Sequence, residues 1–184
     1  SATLLILICS IGIGFALANV MYFTFTKDKT DAQNVETAQH IATILENIHR
    51  SEQAMDAYLA SFGKLGYQIV VVTEEHTQLE YGEPFSKKSL PDDVVDTVLN
   101  GGVYHGMQNF TGRFLLMDHF SNELENTVGV PFTIEEQQYA LFLRPNNKML
   151  FSDIHMVLVG FVVAMAIISL VGVILMTRQL IRPI

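Results

Sequence analysis

The sequence has no tryptophan, one cysteine (Cys9), and 11 lysines and arginines against 19 acidic residues in 184 positions. One cysteine excludes an intrachain disulfide and any zinc site built from cysteine thiolates. A formal net charge of -8 leaves no basic footprint for nucleic acid, and no polybasic patch is present for anionic lipid. No internal repeat or low-complexity stretch occurs, and no local motif marks a Ser/His/Asp or Cys/His arrangement. His40 and His49 stand nine apart, too far for the i, i+4 spacing of a metal pair on one helix.

Charge is absent altogether from two long stretches. Met156 to Met176 is 21 residues without a charged side chain, enough at about 1.5 Å per residue to cross a hydrocarbon layer roughly 30 Å thick as one helix. Arg178 and Arg182 follow directly, and lysine and arginine close to a span mark the cytoplasmic side. The chain is therefore expected to end in the cytoplasm. A second apolar run, Ala2 to Phe23, has no charge before Lys27 and is longer than the roughly 7–15 residue core of a signal peptide. It reads as a first span. Leu7 and Ile8 stand where small residues would precede Cys9 in a lipoprotein, so lipid attachment there is not expected. The chain opens at Ser1 with neither methionine nor a basic flank, and a cytoplasmic stretch is expected ahead of it.

All 19 acidic residues lie between Lys27 and Asp153, with nine of the 11 basic ones. This reads as a hydrated extracellular domain of ordinary size, able to bury its own core. The expected division is a first transmembrane helix over 1–26, the domain over 27–153, a second span over 154–177, and a further linker from 178 to 184.

Within the domain, Val35, Ala38, Ile41, Leu45, Ile48, Met55, Leu59 and Phe62 recur by threes, fours and one seven, which predicts a long amphipathic helix from Asp31 to Phe62 continuing from the first span. Gly63 and Gly66 close it. Tyr67 to Thr73 is a buried strand by its valines and isoleucine, and Gln78 to Tyr81 is its partner. Pro91 to Leu99 has a proline in the first turn, Asp92 and Asp93 at the positive end of the dipole, and Asn100-Gly101-Gly102 as a stop; it predicts a short helix. Strands are expected at Tyr104 to Met107 or Phe114 to Met117, at Thr127 to Ile134, and at Gln138 to Leu143. The order suits an α+β fold, a five-stranded antiparallel sheet with a long N-terminal helix and helices on one face. This is the architecture of PAS-like (PDC/Cache-type) extracytoplasmic sensors.

Four motifs, Tyr81-Gly82-Glu83-Pro84-Phe85, Tyr104-His105-Gly106, Asn126-Thr127-Val128-Gly129-Val130 and Leu143-Arg144-Pro145, closely resemble in this order the sensor region of the haem-responsive HssS histidine kinases of Gram-positive bacteria. The resemblance runs from about Phe15 to Pro183. Leu180-Ile181-Arg182-Pro183-Ile184 is similar to the start of a HAMP linker, with a proline where a membrane helix passes into a cytoplasmic bundle. The resemblance implies the input half of a dimeric two-component sensor. Haem would be the sensed ligand, and ATP would serve only a kinase domain that this chain does not contain. A response regulator would control haem export. Where it leads one to expect an arginine at the entrance to the second span, the chain has His155.

Haem has a broad apolar ring and anionic propionates, so its site is expected where lipid meets water. Phe15, Tyr22, Phe23 and Phe25 lie at the outer end of the first span; Phe142, Arg144, Lys148, Phe151 and His155 precede or open the second. Arginine suits a propionate through its planar fork, and a neutral imidazole suits iron. Aromatics also gather at any bilayer interface. His105 reads as structural. The acidic runs Glu74-Glu75, Asp92-Asp93-Asp96, Glu123-Glu125 and Glu135-Glu136 read as solvated faces. A two-span sensor of divalent cations or cationic peptides, with those acids as contacts, and a chemoreceptor ligand-binding module are the alternatives.

Overall fold

The computed structural model describes residues 2–21, 24–25, 27–85, 90–109 and 124–181, excluding the side chains of 2–3, 109, 147–157 and 180–181. The chain divides into two units, 1–26 with 151–184, and 27–150. In the first, α1 (Ala2–Met21) and α5 (Asn147–Ile181) contain apolar stretches long enough to cross a membrane, Leu4–Met21 and Leu158–Gln179. Their pairing is antiparallel. A Cβ on Gly14 would meet Met165 at 3.2 Å and Phe161 at 3.5 Å, while one on Gly172 would meet Ile6 at 3.0 Å. Ser10, Gly14 and Ala18, four apart and all buried, form the small-residue face that lets these helices approach. Leu158, Val162, Ile167 and Leu170 are exposed.

The second unit is built on β1 (Tyr67–Thr73), β2 (Gln78–Tyr81), β3 (Tyr104–His105), β4 (Val128–Ile134) and β5 (Gln137–Pro145), all antiparallel, in the order β2-β1-β5-β4-β3. β1 and β5 are at the centre because their apolar residues run without alternation. Ile69, Val70, Val71 and Val72 are all buried, as are Ala140 to Leu143, and continuous burial requires cover on both faces. On one face Ile69, Val71, Val128, Val130, Leu141 and Leu143 pack under α2 (Lys27–Ile48) and α3 (Glu52–Leu65), through Val35, Ala38, Ile41, Leu45 and Leu59. On the other, Val70, Val72, Ala140, Phe142 and Tyr104 meet Val95 and Val98 of α4 (Asp92–Leu99). The expectation of helices on one face is thus corrected.

The long helix is also corrected. It ends at Ile48 and restarts at Glu52, because Ser51 takes an extended conformation and its hydroxyl accepts from the amide of Ala54 at 3.2 Å. Gly66, in the left-handed region at φ 104°, closes α3 and turns the chain into β1. Pro91 is the N-cap of α4 rather than its first residue. The strand at Tyr104 stops after His105, where a 3-10 turn over Gly106–Asn109 begins; the alternative at Phe114 to Met117 lies outside the described residues. β3 pairs only with Val128 and Gly129, and Pro131, which has no N–H to give, follows where that pairing has ended.

Candidate functional site

The four sequence motifs converge on Arg144. This residue is 4% exposed and lies on the same face of β5 as Phe142. Its Nε donates to the hydroxyl of Thr127 at 2.9 Å, and its guanidinium carbon lies 3.8 Å from the centroid of the Phe85 ring. A cation over an aromatic face away from water is attracted by the ring quadrupole, and a ring stack plus a directed hydrogen bond fixes the guanidinium plane. Phe85 ends the first motif and Thr127 belongs to the third. The second joins through Gly106, whose amide donates to the Thr127 carbonyl at 3.0 Å. A Cβ on Gly106 would lie 2.5 Å from that carbonyl oxygen.

The glycines of these motifs are packing requirements. Gly82, at φ 87°, brings its Cα against the backbone of Gly63 on α3, and a Cβ there would sit 2.4 Å from the Tyr67 carbonyl oxygen. Gly129 leaves room for the Phe142 ring, which a Cβ would meet at 2.6 Å. Next to Gly82, the Tyr81 hydroxyl donates to Asp56 Oδ1 at 2.6 Å. Burial, followed by the hydrogen bond and charge of Asp56, pushes the phenol up to about 12.

Three histidines meet carboxylates. His76 Nε2 is 3.1 Å from Asp96, and His49 Nε2 is 3.7 Å from Glu135, both pairs at the surface. His105 differs: its Nδ1 is 2.6 Å from Oδ2 of Asp31, a carboxylate buried on α2. Among the described residues no group of three or more histidine, cysteine, aspartate and glutamate side chains could hold a metal ion.

Of the expected haem contacts, Phe15 on α1 is 43% exposed and Phe25 is 71% exposed. Arg144 and Phe142 are two apart on β5, in the other unit. Phe142 has no exposed surface; it packs over Gly129, in the same core cluster as Val70 and Val98. Tyr22 and Phe23 lie outside the described residues, as do the side chains of Lys148, Phe151 and His155 on α5. Phe85 and Thr127, the observed partners of Arg144, were not among the candidates. The motifs that contain them were the available signal.

An α+β body with an apolar helix long enough to cross a bilayer before it and another after it fits a two-span membrane protein with a globular insert. The model of the HssS heme sensor protein N-terminal domain matches residues 1–151, and the chain belongs to that family. It is 31% identical to the Heme sensor protein HssS of Staphylococcus haemolyticus over 99% of this chain and 40% of that protein. It is 33% identical to that of Staphylococcus epidermidis over 92% and 37%, and 29% identical to that of Staphylococcus aureus over 94% and 37%. The chain thus spans about two fifths of the length of these relatives.

Proposed function

We propose that this chain is the input module of a membrane-bound haem-sensing histidine kinase, with the 27–153 domain outside the cell and both ends in the cytoplasm. The family match over residues 1–151 carries this conclusion, since it covers the first apolar helix and the whole globular unit. Connectivity supports it: α2 starts at Lys27, shortly after α1 ends at Met21, and Asn146 alone separates β5 from α5. Both ends of the domain therefore lead directly into spans, and haem need only favour one of two arrangements to bias what lies beyond the membrane. The HAMP linker after Arg178, a homodimer, contact with membrane lipid, ATP-dependent histidine phosphorylation in a further domain, and a response regulator governing haem export belong to the same proposal.

The ring contacts proposed are Phe15, Tyr22, Phe23, Phe25 and Phe151, with His155 as a polar contact and Arg144 as the propionate partner. For Arg144, engaging a propionate means exchanging the Phe85 stack for a two-pronged, charge-assisted contact. Haem titration of the purified chain in detergent tests the proposal through the Soret band. His155→Ala combined with Arg144→Lys, which keeps the charge and loses the fork, is expected to weaken binding about tenfold or more. Unchanged binding in the double variant removes both residues from the site, and no saturable binding by the parent removes the function.

A further inference from the structure

We propose that His105 donates its Nε2 to the iron of bound haem, with Asp31 as its positioning residue. This inference rests on the haem-sensing function proposed above, and adds the iron's protein ligand.

A carboxylate can only accept a hydrogen bond, so the 2.6 Å contact between Nδ1 and Asp31 Oδ2 places a hydrogen on Nδ1. In the neutral ring the lone pair is then on Nε2. This is the arrangement by which a carboxylate fixes the tautomer and orientation of a metal-binding histidine and raises its basicity. His49 and His76 show the opposite arrangement, spending Nε2 on Glu135 and Asp96. Among the described residues, Nε2 of His105 makes no hydrogen bond. The His105 side chain is 32% exposed while that of Asp31 is 5% exposed, so the ring has an accessible edge and a buried support.

That support is costly to keep buried. Among the described residues, Oδ1 of Asp31 has no hydrogen-bond partner, and neither does Nδ2 of Asn34, one turn further along α2. A buried acceptor left this way needs an explanation, and its other oxygen orients His105. Pairing with Val128 at the sheet edge fixes the backbone of His105.

The guest proposed is haem iron, which a single oriented imidazole can serve. Haem iron brings its own ring nitrogens and needs from the protein only an axial donor. Coordination moves one lone pair onto iron, with no bond broken and no electron transferred.

The test is resonance Raman and magnetic circular dichroism of the haem-loaded chain in detergent, comparing the parent with His105→Ala, His155→Ala and Asp31→Asn. The parent and His155→Ala are expected to show a ferrous iron–histidine stretch, which His105→Ala loses while still binding haem. Asp31→Asn keeps the hydrogen bond and a folded domain but supplies a neutral acceptor, so the stretch should move to lower frequency; a purely structural Asp31 would leave it unmoved. If the stretch survives in His105→Ala, or vanishes only in His155→Ala, the assignment is wrong while haem sensing stands. If His105→Ala does not fold, an unmoved stretch in Asp31→Asn overturns it. If the parent binds no haem, the proposed function fails and this ligand falls with it.

Discussion

Gly129→Ala is a demanding probe of how the sheet is packed. The new methyl would lie 2.6 and 2.9 Å from two carbons of the Phe142 ring and 2.9 Å from Val98 Cγ2, whereas comfortable carbon contacts lie at about 3.5–4.0 Å. The ring must move by roughly 1 Å to restore such a contact, yet Phe142 and Val98 have no exposed surface. Forcing an extra carbon into such a core costs roughly 1–3 kcal/mol, and replacing glycine within a strand returns roughly 0.5–1 kcal/mol. The net loss should be about 1–2 kcal/mol out of a domain stability of roughly 5–15 kcal/mol. That lowers the urea midpoint by roughly 1 M at an ordinary denaturant slope. The chain has no tryptophan, so far-ultraviolet circular dichroism is the suitable signal. Phe142→Leu in the Gly129→Ala background should recover part of the loss, with a coupling of about 1 kcal/mol across the double-mutant cycle. Strict additivity, or a Gly129→Ala variant as stable as the parent, would refute this account of the glycine.

Two other outcomes follow. Glu135 and Glu136 occupy the two-residue turn between β4 and β5 at φ 48° and 70°, where asparagine and glycine are favoured; Glu135→Asn with Glu136→Gly should raise stability by about 1–2 kcal/mol in urea melts. Tyr81 keeps its proton longer when folded because its phenol is raised from 10.0 to about 12, so its contribution is intact below pH 10 and lost as pH rises toward 12. The urea midpoint should fall over that range, and less steeply in Tyr81→Phe.

Much of the fold was legible because local chemistry and tertiary demand agree. β1 and β2 begin and end where Gly66 and the polar turn require, and the short helix was bounded by Pro91 and Asn100. The helix break at Ser51 was written in the sequence too: the single seven-residue step in the apolar pattern, Ile48 to Met55, spans it. Helices on both faces were implied by the unbroken apolar runs of β1 and β5, which an amphipathic sheet would not carry. The site was less legible. Phe142 suits a haem ring by type, but its neighbours Leu141 and Leu143 already indicate a strand buried on both faces. The partnership of Arg144 with Phe85 spans 59 positions and depends on strand pairing that no local pattern encodes. The bond between His105 and Asp31 spans 74.

The join between β5 and α5 has a mechanical consequence. Pro145 is still in register with Tyr67, and the amide of the single linking residue, Asn146, donates to the Gly66 carbonyl at 2.7 Å. A shear of β5 against β1 would have to break this hydrogen bond together with the strand pairing, so the last residues of β5 are clamped to the first of β1 rather than left to slide.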